Sequence, residues 1–122
     1  MKRLCLSIVC GLWLLFPSGW AAQPIVLHAR TAGDLAALCA ATPGSEGADA
    51  KINYCHGFAQ GAVDERMHSS PEKKTFCFPN PTPTRSQTMR EFVNWVRVAP
   101  PNRDMPVLEG LFKFLGERFP CK

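Results

Sequence analysis

The cysteines constrain this chain most. Six occur in 122 residues, and their surroundings divide them into two sets. Cys5 and Cys10 lie in the apolar run Leu4 to Phe16, which follows Lys2 and Arg3 and is broken by Pro17 and Gly19. A positive start, a short apolar stretch and a breaker describe a secretory leader, since a spanning helix needs ~20 apolar residues and this run is shorter. Gly19 and Ala21 put small residues where a signal peptidase reads them. The leader is therefore expected over residues 1–21 and the working domain over 22–122. Ser7-Ile8-Val9 ahead of Cys10 lacks the small residue of a lipid-attachment site, so no membrane anchor is expected after cleavage.

Cys39, Cys55, Cys77 and Cys121 remain. An even set on a small exported chain favours disulfides, because bridges persist where the compartment is oxidising. No Cys-x-x-Cys occurs among them, which argues against zinc. The expected location is the periplasm. Composition agrees with one globular domain, at 46% hydrophobic and 20% charged residues. The net charge of +4 is too small and too scattered for a nucleic-acid binder, and the one basic pair, Lys73-Lys74, follows Glu72 in a loop.

Four helical segments and no strand run are expected, an all-α fold in a small disulfide-stapled domain. Thr31 with Asp34 resembles a capping box and opens a helix from about Ala32 to Ala41, with Leu35, Leu38 and Cys39 at helical spacing. Thr42-Pro43-Gly44-Ser45-Glu46-Gly47 stops it. From about Asp49, Ile52, Cys55, Phe58, Ala59, Ala62, Val63 and Met67 form one face of a second helix. Gly57 and Gly61 within it each cost ~1 kcal/mol of propensity, which predicts close packing of a neighbouring helix there. Prolines at 71, 79, 81 and 83 keep the segment Ser69 to Pro83 from being helical throughout. Thr84 and Gln87 form a second capping box, followed by Met89, Phe92, Val93 and Val96, and Pro100-Pro101 ends that helix. Asp104 is expected to cap the last helix, with Leu108, Leu111, Phe112, Leu115 and Phe119 buried. Trp95, Val107 and Phe114 fall off these stripes and would leave apolar surface for a second copy of the chain, a possible homodimer.

Four cysteines allow three connectivities. The short turn after the first helix makes the first two antiparallel and favours Cys39 with Cys55; the same logic favours Cys77 with Cys121, the other two pairings staying open.

Reactive constellations are weak. Cys55 and His56 are adjacent on a helix and so face apart, as do Asp64 and Glu65. His28, His56 and His68 lack metal-ligand spacing, and Ser69, Ser70 or Ser86 with His68 makes a poor nucleophile–base pair. The expected protein is not an enzyme and holds no cofactor or metal.

Several elements recur in order: Leu35-x-x-x-Cys39, Tyr54-Cys55-His56-Gly57-Phe58-Ala59-Gln60-Gly61 with Asp64 beyond, Cys77-Phe78-Pro79 before a capped helix, Val93-x-x-Val96, and Phe119-Pro120-Cys121. Over residues 31 to 121 this set resembles the Rap/Tai group of periplasmic immunity proteins. The resemblance implies a protein that binds a cell-wall amidase effector of type VI secretion and blocks it by occupying its active-site cleft. The chain departs from the group at Phe78, at Lys73-Lys74 and at Pro100-Pro101-Asn102-Arg103, in loops, where partners are discriminated. The segment Arg66 to Phe76 is the first choice for the partner surface, with His68, Glu72, Lys73, Lys74 and Phe76 as its contact residues; the loop Thr42 to Ala48 is the second. The rival readings are an acid-stress chaperone of the HdeA type and an envelope binding protein of another kind.

Overall fold

Thr31 starts the folded body. In the computed structural model, which describes residue 19 and residues 24–122, its hydroxyl accepts from the Asp34 N–H at 3.1 Å while the Asp34 carboxylate accepts from the N–H groups of Thr31 and Arg30, both at 3.0 Å. This reciprocal cap launches α1 (Ala32–Cys39). Then follow α2 (Ala48–Ser69), α3 (Arg85–Val98), the single turn α4 (Pro100–Arg103) and α5 (Val107–Arg118). Among the described residues there is no strand, only an isolated antiparallel bridge between Thr31 and Pro106. The leader expected over residues 1–21 lies, apart from Gly19, outside the described residues. No helix among the described residues is long and apolar enough to cross a membrane.

The short α1 lies at the centre and touches all four other helices. Leu35 from α1, Cys55 from α2, Phe92 from α3, and Leu111 and Leu115 from α5 are fully buried together. Close approach of α1 to α5 needs a glycine. A Cβ on Gly110 would stand 2.7 Å from the Ala32 Cβ, well inside van der Waals contact.

Two disulfides staple this core, Cys39–Cys55 with Cα atoms 5.2 Å apart and Cys77–Cys121 with Cα atoms 4.9 Å apart. Both are the favoured pairings. Loops of 16 and 44 residues correspond to roughly 3 and 4 kcal/mol of unfolded-state entropy removed. Their presence fits an oxidising compartment.

The structure departs from expectation at four places. Pro100-Pro101 does end α3, but the two prolines then occupy the first positions of α4, where a missing N–H costs nothing. Asp104 closes α4 instead of capping the next helix. The first amide of α5 needs no side-chain cap because Val107 N–H donates to the Arg30 carbonyl at 2.9 Å, beside the Ala32 to Met105 bond of equal length. The buried stripe of α5 is rotated: Phe114 is buried and Leu108 is 47% exposed. Trp95, Val107 and Phe114 all pack on the core, Phe114 at 5.4 Å from Phe92 and 5.9 Å from Trp95 between ring centroids. Phe114 is buried, while Trp95 and Val107 stay half-buried and Val98 is 67% exposed. Finally, among the described residues no helix packs on Gly57 or Gly61. A Cβ at either would meet nothing within 4 Å, and the cost in helix propensity is not offset by packing.

Candidate partner-binding surface

The last turns of α2 leave the core before the helix ends. Ala59 is the last residue of α2 to be buried, and Met67 is 58% exposed. Arg66 and His68 stand in the final turn, where cations suit the negative end of the helix dipole. The chain turns at once, with Ser70 N–H donating to the Arg66 carbonyl at 3.1 Å and Lys73 N–H to the Ser70 carbonyl at 3.2 Å.

Phe76 then drives this loop back onto the body. It is buried, with its ring parallel to Phe112 at 6.1 Å and edge-on to Phe78 at 5.4 Å, while Phe78 meets Phe119 at 5.2 Å. The Arg66 guanidinium lies 3.9 Å from the centre of the Phe112 ring and joins the helix to the same cluster by a cation–π contact. Next along the chain, Cys77 is bridged to Cys121, and its N–H donates to the Phe119 carbonyl at 2.7 Å. An aromatic plug, a disulfide and backbone hydrogen bonds hold residues 70–75 as an arch. A loop fixed in this way loses little entropy when it docks.

His68, Glu72, Lys73 and Lys74 are exposed as expected. Phe76 is corrected: it is the plug that seats the arch, not an exposed contact. Lys73 and Lys74 border a groove of about 500 Å³ between the arch and α2, together with Arg66, Met67, Phe78 and Thr82; His68 and Glu72 do not line it. Met67, Phe78 and Thr82 also line an adjoining cavity of about 250 Å³ that runs toward Arg85 and Met89 of α3. Reading by segment missed Met67, Phe78, Thr82 and Arg85, since they come from three stretches of chain that only the fold joins. The one available signal was Phe78, an aromatic residue in the loop that follows Cys77.

The second-choice loop, Thr42 to Ala48, is a tight turn. Ser45 donates to the Thr42 carbonyl through both its N–H (3.1 Å) and its hydroxyl (2.7 Å), and Gly47 takes the left-handed conformation at φ +69° that starts α2. A side chain at position 47 would also collide with Ile25.

The sites considered for chemistry stay apart. Cys55 is buried in its disulfide, so its sulfur is not a nucleophile. Asp64 accepts from the Gln60 amide at 2.7 Å, a surface pair one helical turn apart. Among the described residues, no group of three His, Cys, Asp or Glu side chains is placed to hold a metal ion.

Three carboxyl and guanidinium groups are perturbed. Two backbone N–H bonds, from Thr31 and then Arg30, hold Asp34 below the ordinary aspartate range. The Arg118 hydrogen bond lowers the pKa of Glu91 and raises that of Arg118. Both sites are structural.

No curated protein and no solved structure matches the chain significantly. The profile of the Rap1a immunity proteins, however, matches residues 31–121, the stretch that begins at the α1 cap and ends at the second disulfide. The chain therefore belongs to the family of Rap1a immunity proteins.

Proposed function

We propose that the protein is a periplasmic immunity protein that binds a peptidoglycan amidase effector delivered by type VI secretion and blocks its active-site cleft. Family membership over residues 31–121 is the observation that carries this reading, since an immunity protein implies a secreted effector as partner. The body supports it physically. Blocking a cleft requires a rigid scaffold and an exposed, preorganised projection, and the arch of residues 70–75 on its stapled base is such a projection. The role requires no reactive group, cofactor or metal. The two disulfides support the periplasmic location, with residues 1–21 as the cleaved leader. A homodimer is compatible with this reading but not required by it, since Trp95 and Val107 stay half-buried.

The test is co-purification from periplasm, scored for cell-wall amidase activity. The expected result is recovery of a cell-wall amidase bound to the protein, with its activity suppressed in the complex. Recovery of no amidase, or of one that is bound yet fully active, overturns the reading.

A further inference from the structure

Three of the four cations around the groove beside the arch, Lys73, Lys74 and Arg85, are not explained by the fold. The ion pairs among the described residues, Lys113 with Glu117 and Arg118 with Glu91, include none of Arg66, Lys73, Lys74 or Arg85. The dipole of α2 accounts for Arg66 but not for the others. Arg85 is placed against its own helix, since it is the first residue of α3, a helix with no acidic residue in its first turn, where the positive dipole end disfavours a cation. Among the described residues, the only acidic one lining the groove or its adjoining cavity is Asp64, already engaged by Gln60. Between the cations the walls are apolar, formed by exposed Met67 and half-buried Phe78.

We propose that this groove holds an acidic, extended stretch of the partner protein. One apolar side chain seats against Met67 and Phe78, and flanking carboxylates reach Arg66, Lys73, Lys74 and Arg85. The identity of the partner as the effector rests on the immunity reading; the chemistry of the bound segment rests on the groove. Unpaired cations on a preorganised apolar floor give both attraction and register, because like charges brought to the same place are repelled.

The probe is a short blocked peptide with two aspartates on each side of a phenylalanine, titrated into the protein at low salt and followed by backbone amide resonances. Expected are saturable shifts between Arg66 and Phe78 and at Arg85, weakened by added salt. The double variant Lys73→Glu/Lys74→Glu and the single variant Arg85→Glu each weaken binding by about tenfold or more without lowering the melting temperature. Arg85→Glu suits the helix dipole, so a folding defect does not confound it. Absence of saturable shifts, equal binding of a peptide with lysines in place of the aspartates, or unchanged binding by the variants overturns the proposal. So does a response of the same residues to phosphatidylglycerol vesicles but not to the peptide.

The two readings fail separately. If the charge-reversed variants hold a co-purified cell-wall amidase as tightly as the parent does, the groove proposal falls and the immunity reading stands. If the peptide binds with the expected charge dependence while no cell-wall amidase is bound or inhibited, the immunity reading falls and the groove's preference for acidic chain stands.

Discussion

Glycines of one chemical kind do opposite things in this chain, and space decides which. Gly110 lets α5 approach α1, and a methyl there would press on Ala32 at 2.7 Å. Gly110→Ala is expected to destabilise by about 1–3 kcal/mol through overpacking. Gly57 and Gly61 face open space in the middle of α2, so alanine at either should stabilise by up to about 1 kcal/mol. Urea unfolding of the three variants checks the contrast in sign. The same logic separates Phe76 from its neighbours. Phe76→Ala empties an aromatic cluster and is expected to cost about 3 kcal/mol or more, whereas Lys73→Ala and Lys74→Ala, both exposed, should stay within about 0.5 kcal/mol. Equal losses for all three in thermal melts would remove the arch's plug from the account.

At the scale of elements, caps were legible and helix rotation was not. Thr31 with Asp34 reads as a capping box because three residues separate two side chains that each reach the other's backbone, and both bonds form. Thr84 delivers half of its box, accepting from Gln87 N–H at 3.2 Å, while the Gln87 side chain helps hold Glu91 ionised. The stripe of α5 was misplaced because Gly110, buried against Ala32, carries no hydrophobic signal; once it is counted, Val107, Gly110, Leu111, Phe114 and Leu115 are one face. The entry to α5 was hidden too, since its cap is a backbone bond to Arg30 from across the fold. The Asp34 box also makes stability depend on pH. Its carboxyl, and that of Glu91, are held below their ordinary values in the folded state, so the stability they contribute is present above the unfolded values of about 4 and is lost as pH falls through the lowered folded values. Asp34→Asn is expected to lose about 0.5–1 kcal/mol at neutral pH and to flatten the decline below about pH 4. The exposed Glu91–Arg118 pair should contribute less, because solvent screens it. Denaturant midpoints recorded from neutral to acid pH measure both, and an unchanged slope in the Asp34 variant would contradict the assignment.

The molecule as a whole is a small core tied at two points, with exposed Glu72, Lys73 and Lys74 carried on one fixed projection. Cysteine spacing showed the ties, since antiparallel neighbours bring the ends of sequential helices together, and both bridges form as expected. The segment bearing the arch was also visible as a charged stretch between a helix and a cysteine. Its inner wall was not, because Met67, Phe78 and Arg85 converge only through the packing of Phe76 on Phe112 and Phe119's contact with Phe78. The proposed function has this projection disable a cell-wall amidase by filling its cleft. The rate of muropeptide hydrolysis by an amidase co-purified from periplasm, followed as this protein is added, measures that step. The rate is expected to fall to background at about one equivalent and to recover on charge reversal at Lys73 and Lys74; an undiminished rate at many equivalents of folded, disulfide-bonded protein would contradict the proposed function.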